Sequence, residues 1–355
     1  MIVPAKPVRV LIVDDSAVIR RLLSDLLSSD PEVEVVGTAP DPHVARERIK
    51  ELSPDVITLD VEMPHMDGVT FLRKIMALRP MPVVMLSSLT QRGAEVTLEA
   101  LEAGAVDFMP KPTAELTSGS IEIFAAELLA KVKAAARVRV GVRKPVAARG
   151  PVRAPLGIPS KRIVLIGAST GGVEALKTVL MGLPPDCPPI LVAQHMPARF
   201  TTAFARRLDQ ECPMAVCEAA HDQKVEAGTV YIAPGSHHLE LARRNGSFFC
   251  RLNDGPLVSG HRPSVDVLFR SAVQAAGASA VGVILTGMGK DGAEGLLAMC
   301  HSGATTLGQD EESALVYGMP RVAFEKGAVM RQFSLTEIAG AIVDACVTRA
   351  AVVHA

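Results

Sequence analysis

Twice along this chain, short runs of β-branched and aliphatic residues alternate with amphipathic stretches of helical period, and between the two series the pattern stops. This alternation constrains the fold more than any other feature. Strands separated by helices pair in parallel, and a parallel sheet has to be covered on both faces. In the first series the strand-like runs are Val8–Val13, Val33–Val36, Val56–Leu59, Val83–Leu86 and Phe108–Met109. Helical patterns lie near Val18–Leu27, Val44–Leu52, Val69–Leu78, Ala94–Ala103 and Ile121–Val132. The second series has strand signals at Ile163–Ile166, Ile190–Ala193, Val230–Ile232, Phe248–Leu252 and Val281–Leu285, and helical ones near Val173–Leu180, Phe200–Leu208, Val265–Ala275 and Gly292–His301. The stretch Val230–Leu252, with Asn245-Gly246 between its strand-like runs, suits a β-hairpin because Asn-Gly favours the primed turns. The expected architecture is α/β with two domains at residues 1–133 and 161–355, each a mainly parallel sheet with helices on both faces. Residues 134–160, basic and containing Pro145, Pro151, Pro155 and Pro159, read as a semi-extended linker.

Bulk properties remove several function classes. A formal net charge of −1 gives no basic surface for nucleic acid, and with no Trp and two Tyr there is little to stack on bases. No helix-turn-helix pattern or basic recognition helix stands out. The six cysteines form no CxxC pair and fit no zinc-finger spacing, so they read as reduced, mostly buried thiols of a cytoplasmic protein. The first residues enter a strand without a signal-peptide core. The uncharged run between Arg270 and Lys290 is broken by Gln274, Gly and Ser, and reads as a helix end, a turn and a buried strand.

Chemistry gathers at strand ends. Asp14 and Asp15 end the first strand, Asp60 the third, Ser87 and Ser88 the fourth, and Lys111 follows the fifth. The carboxyl edge of an open parallel sheet is its binding crevice, so these groups converge. Three carboxylates repel one another unless a cation sits among them, and hard oxygen ligands suit Mg²⁺. Lys111 balances the remaining charge and, with the Ser87 hydroxyl, can hold phosphoryl oxygens. The set suits phosphoryl transfer onto a carboxylate, with Asp60 the acceptor. A solvated acidic loop would explain any one of these residues, but not the full set in this order.

Leu11–Ser16, Asp60–Pro64, Met66-Asp67-Gly68 and Lys111-Pro112 resemble the response-regulator receiver family over the first third of the chain. The resemblance implies a flavodoxin-like fold phosphorylated at Asp60. Asp14, Asp15, Asp60 and the Glu62 carbonyl would serve Mg²⁺, Lys111 and Ser87 would sense the phosphoryl group, and Phe108 would be the switch aromatic.

The second block opens with Gly167-Ala168-Ser169-Thr170-Gly171-Gly172 between a strand and a helix. Such a turn lifts a serine hydroxyl to the sheet top and aims helix N–H groups at developing negative charge. It could equally cradle a dinucleotide phosphate. A dinucleotide site needs an acidic residue at the end of the next strand, but Ile190–Ala193 runs into Gln194-His195 instead. A histidine there suits an activated serine. Asp291, in Thr286–Gly292 after Val281–Leu285, is the carboxylate to orient it. The order Ser169, His195, Asp291 differs from the Ser, Asp, His of α/β-hydrolases.

Gly167–Gly172, Gln194–Pro197, Ile232–Gly235, His261–Asp266 and Leu285–Gly292 resemble the catalytic domain of the chemotaxis protein-glutamate methylesterase family. With the receiver and linker, the resemblance spans nearly the whole chain. It implies a doubly wound serine hydrolase domain. That domain would act on methylated glutamates of chemoreceptors, deamidate receptor glutamines and need no cofactor of its own, with Met288 supplying an oxyanion-hole N–H. It also implies a chemotaxis histidine kinase as phosphodonor, membrane contact only through receptors, and a receiver that covers part of the Ser169 cleft until phosphorylated. Two rival readings are a receiver-linked dinucleotide oxidoreductase, which His195 opposes, and a non-enzymatic binding module, which the converging triad opposes. Thr170 either holds His195 or the oxyanion, or caps the helix. His238 and the Arg262–Asp266 segment line the cleft or dock its walls, although a lone histidine such as His238 or His261 more often makes a structural hydrogen bond. His237, His301 and His354 read as surface or structural, and Met63, Met66, Met81 and Met85 as packing.

Overall fold

The computed structural model describes residues 6–64, 66–112, 118–138, 140 and 162–347. The chain divides into two compact units, Met1–Pro145 and Val146–Ala355.

In the first unit β1 (Val8–Val13), β2 (Val33–Ala39), β3 (Val56–Asp60), β4 (Val83–Ser87) and β5 (Asp107–Pro110) alternate with α1 (Ala17–Leu27), α2 (Pro42–Leu52), α3 (Gly68–Leu78), α4 (Gln91–Glu102) and α5 (Ser118–Ala136). The sheet order is β2-β1-β3-β4-β5, all parallel, as in flavodoxin-like folds. β3 and β4 are buried at every residue, which explains their near-continuous apolar sequences. The helices start where side chains take up orphan amides: Ser16, Asp41, Asp67 and Thr90 each accept from a backbone N–H of the following turn.

One boundary moves. α5 continues to Ala136, three residues into the expected linker. Ala134 and Ala135 are buried, and alanine is the best helix former, so packing and propensity agree there. The linker from residue 141 onward lies outside the described residues.

The second unit contains β6 (Ile163–Ala168), α6 (Gly172–Met181), β7 (Ile190–Gln194), α7 (Ala198–Glu211), β8 (Ala215–Glu218), β9 (Thr229–Ile232), β10 (His238–Arg244), β11 (Ser247–Asn253), α8 (Val265–Ala275), β12 (Ala280–Ile284), α9 (Ala293–His301), β13 (Thr305–Gln309), α10 (Met319–Glu325), β14 (Arg331–Phe333) and α11 (Leu335–Val347). Seven strands form a parallel sheet in the order β14-β13-β12-β6-β7-β9-β8. The hairpin exists, but its first arm is β10 and not the Val230 run, which joins the main sheet between β7 and β8. Asn245 and Gly246 both have positive φ, 48° and 80°, the geometry of a type I′ turn.

The core lies between sheet and helices. Leu165, Leu191, Tyr231, Phe269, Ile284 and Leu296 belong to one buried cluster that also takes in Leu239, Leu241 and Cys250 of the hairpin. All six cysteines are free thiols. No helix among the described residues is long and apolar enough to cross a membrane.

Candidate functional sites

In each unit the chain winds outward in both directions from a central strand, so a crevice opens at the carboxyl edge where the order reverses. In the first sheet that point lies between β1 and β3, and in the second between β6 and β12.

At the first crevice, carboxylate oxygens of Asp14, Asp15 and Asp60 lie within 4.8 Å of one another. Asp14 and Asp60 are buried, and Asp15 is exposed. Lys111 Nζ sits 2.8 Å from Asp14 Oδ2 and 2.7 Å from Asp60 Oδ2. Apart from that ion pair, these two oxygens accept no hydrogen bond in the structure. Burial pushes the Asp60 carboxyl up to about 6, against the opposing pull of Lys111. Burial also works against the Lys111 charge, but Asp14 and Asp60 outweigh it and hold the ammonium above its ordinary range. A cluster with this much uncompensated acidity fits a hard divalent cation.

Ser87 is buried, and its hydroxyl donates to the Gly93 carbonyl at 3.1 Å, in the first turn of α4. Phe108 is buried on β5, with Lys131 Nζ 5.5 Å from its ring centroid. The exposed Glu62 donates its backbone N–H to Asp60 Oδ1 at 3.1 Å.

At the second crevice, Ser169 follows β6, His195 follows β7 and Asp291 lies in the loop after β12. Ser169 Oγ is 3.1 Å from His195 Nδ1, and His195 Nε2 is 2.8 Å from Asp291 Oδ2. The imidazole thus presents Nδ1 to the serine and Nε2 to the carboxylate, the reverse of the usual serine-protease ring orientation.

Asp291 is 2% exposed and enclosed by donors. Its Oδ1 accepts from Ser264 Oγ (2.8 Å), Asp266 N (3.1 Å) and Gly292 N (3.1 Å), and its Oδ2 from Val265 N at 2.7 Å as well as from His195. Val265 and Asp266 form the first turn of α8, so the carboxylate lies against a helix N-terminus. Burial raises the Asp291 pKa, but His195 and these hydrogen bonds outweigh it and hold the carboxyl below its ordinary range.

The turn carrying Ser169 is held from two sides. Gln194 Nε2 donates to Ser169 O at 3.0 Å, and Thr286 Oγ1 donates to Thr170 O at 3.0 Å. Gly287 is needed for close approach: a Cβ there would lie 2.8 Å from Ser169 Cβ and 2.4 Å from Met319 Sδ. Its absence lets the loop bearing Met288 close on the serine. The α6 N-cap residue is Gly171, at φ 77° and without a side chain to cap the helix.

Three parts of this site had only a general reading in the sequence, as cleft lining, wall docking or a structural hydrogen bond. Ser264 and the α8 amides cradle Asp291. His238, 1% exposed, accepts from Ser264 N at Nδ1 (3.1 Å) and binds the Pro256 carbonyl through Nε2 (3.0 Å). His261 lies over the His195 ring with centroids 3.7 Å apart. A serine directly before an apolar helical pattern is an N-cap signal that could have pointed to Ser264. Nothing in the spacing ties either histidine to the triad.

Comparison with known proteins finds a matching family for each unit. The family described as CheB methylesterase matches residues 164–342, and the response regulator receiver domain matches residues 10–118. The chain is 57% identical to a protein-glutamate methylesterase/protein-glutamine glutaminase of Caulobacter vibrioides over 95% of its length and 97% of that protein's. It is 52% identical to one of Methylobacillus flagellatus over 95% and 96%. A crystal structure of the Thermotoga maritima CheB methylesterase catalytic domain aligns with 52% of this chain and 97% of its own, at 38% identity and a TM-score of 0.51.

Proposed function

The chain belongs to the CheB methylesterase family and carries a response regulator receiver domain, and on that premise we propose that it hydrolyses glutamate methyl esters on chemoreceptors under control of phosphorylation at Asp60. It also deamidates receptor glutamines. The observation that carries this reading is His195 bridging Ser169 Oγ and a buried, donor-enclosed Asp291.

Ser169 Oγ attacks the ester carbonyl while His195 Nδ1 takes the hydroxyl proton. Asp291 keeps Nε2 protonated, which leaves Nδ1 free to act as base, and it stabilises the imidazolium that forms. The backbone N–H of Met288 and the N-terminus of α6 offset the charge on the oxyanion. The Nδ1 proton then passes to the departing oxygen, and methanol leaves. Water attacks the acyl group and gives its proton to Nδ1. That proton returns to Ser169 Oγ as the acid is released and ionises to glutamate. With glutamine as substrate, ammonia replaces methanol.

In the receiver, Asp60 accepts a phosphoryl group from a chemotaxis histidine kinase. Asp14, Asp15, Asp60 and the Glu62 carbonyl would hold Mg²⁺, which neutralises phosphoryl oxygen charge when bound. Lys111 exchanges its ion pair with Asp60 for a phosphoryl oxygen. Ser87 gives up its bond to the Gly93 carbonyl to reach another, and Phe108 repacks with it. The enzyme works in the cytoplasm and meets the membrane only through its receptors.

The test is methanol release from membranes bearing methylated receptors, with and without a small phosphodonor. The phosphodonor should raise the rate, and Ser169→Ala should abolish it. Near-normal release by Ser169→Ala would refute the triad, and no release from any methylated receptor would refute the substrate.

A further inference from the structure

Two hydrogen bonds hold the His195 ring, one at each nitrogen. They fix where the ring lies along the line from Ser169 to Asp291, but leave it able to rock about that line. The His261 ring lies against its face, with centroids 3.7 Å apart and planes inclined by 14°. Two neutral aromatic rings do not favour this arrangement. They prefer offset or edge-on packing, with centroids at about 4.5–7 Å. A face-to-face pair this close becomes favourable when one ring carries positive charge over the π-face of the other. In the mechanism proposed above, His195 gains that charge when it takes the serine proton.

The chain is built to hold His261 there. Val258 and His261 exchange both backbone hydrogen bonds, at 3.1 and 3.0 Å, around Ser259 and Gly260, which both have positive φ. Arg262 Nη1 then donates to the carbonyls of Asp254 and Gly255. Two residues later Ser264 caps α8 and donates to Asp291. One short segment therefore supplies both the surface behind His195 and the groups that fix its carboxylate.

We infer that His261 is a positioning residue of the hydrolytic reaction, whose ring face keeps His195 aligned between Ser169 and Asp291 and stabilises the imidazolium formed during catalysis. This inference rests on the triad reading above and deepens it. Stabilisation that appears only once the proton has moved acts on the transition state, so it raises kcat without tightening substrate binding.

The experiment uses the full chain with p-nitrophenyl acetate, an ester that needs the triad but no receptor contact, together with the rate of Ser169 labelling by a fluorophosphonate. His261→Ala should lower kcat and the labelling rate about 10-fold with KM little changed, and His261→Phe, which restores a ring face, should recover kcat to within about 3-fold. If His261→Ala fails to fold, His261→Leu, which fills the space without an aromatic face, takes its place. Unchanged kcat in the variant without a ring would overturn the inference. So would an equal loss in His261→Phe, because the ring nitrogens and not the face would then matter. A raised KM at unchanged kcat would also overturn it, by making His261 a substrate contact. Ser169→Ala in the same assay separates the two readings: turnover that persists there removes the triad itself, whatever the His261 variants do.

Discussion

Replacing Asp291 by asparagine changes one atom and should disable the enzyme. The carboxylate receives five hydrogen bonds, three at Oδ1 and two at Oδ2. Asparagine keeps one oxygen. Placed at the Oδ1 position, that oxygen satisfies Ser264, Asp266 and Gly292, and the new NH₂ then faces His195 Nε2 and the Val265 N–H. The histidine can adapt by moving its proton, so that Nε2 accepts from the asparagine. Nδ1 then carries the proton and cannot take one from Ser169, a wrong-tautomer loss of about 10⁴-fold in kcat. Val265 N–H cannot adapt. A buried donor left without a partner costs about 1–3 kcal/mol, and losing an anion at the α8 N-terminus costs about 0.5–1 kcal/mol more. The sum, about 2–4 kcal/mol, would lower the melting temperature of the catalytic unit by on the order of 10 °C. Because the folded Asp291 pKa is depressed, its contribution is present at neutral pH and lost as pH falls below the ordinary carboxylate range. The stability gap between parent and variant should narrow there. The assay is ester hydrolysis with thermal unfolding of the same preparations. A variant within about 10-fold of the parent kcat would refute the tautomer argument, and an unchanged melting temperature would refute the count of donors.

Chelation should separate the two sites: hydrolysis of a small ester by the full chain persists in excess chelator while acceptance of phosphoryl groups at Asp60 stops, and chelator-sensitive hydrolysis restored by metal would point to metal-activated water. Asp60→Asn should keep basal hydrolysis and lose the response to a phosphodonor, so a response that survives would move the acceptor elsewhere. Gly287→Ala puts a methyl 2.8 Å from Ser169 Cβ; displacing the nucleophile by about 1 Å should cost about 10²-fold in kcat, and parent-like kinetics would show that the loop gives way without moving the serine.

The sequence was most legible where the sheets are fully buried. β3, β4, β6, β7 and β12 have no exposed residue, so their apolar runs are nearly unbroken and the polar residues that end them stand out. That is why Asp60, Ser169 and His195 could be named before any coordinates, and Asp14 by the buried end of β1, Val10–Val13. The C-terminal part was less legible. β14 has three residues and α10 seven, too few to show a period, and α11 is apolar around most of its surface. The hairpin was placed by its Asn-Gly turn, but its first arm was misread, because the Val230 run is as β-branched as a hairpin strand and only its pairing with β7 and β8 in the main sheet claims it. The contacts that finish the triad came from the Val258–Asp266 segment. Their effect depends on where a loop returns in space, which local pattern does not encode.

Two buried aspartates at equivalent places in two sheets are handled in opposite ways. Asp291 meets five donors, which hold its carboxyl below the ordinary range against burial, as the proposed role of fixing a histidine tautomer requires. Asp60 has one hydrogen bond, from the Glu62 amide, and shares one lysine with Asp14. Its charge is underfilled, and its pKa lies near 6. A carboxylate so poorly compensated gains most from an added cation. Converted to an acyl phosphate, as proposed, it would leave Lys111 to seek another anion, and this would redirect the only cation within ion-pair distance of Asp60 among the described residues. The hydrolase aspartate is stabilised so that nothing moves, and the receiver aspartate is left unstable so that something does.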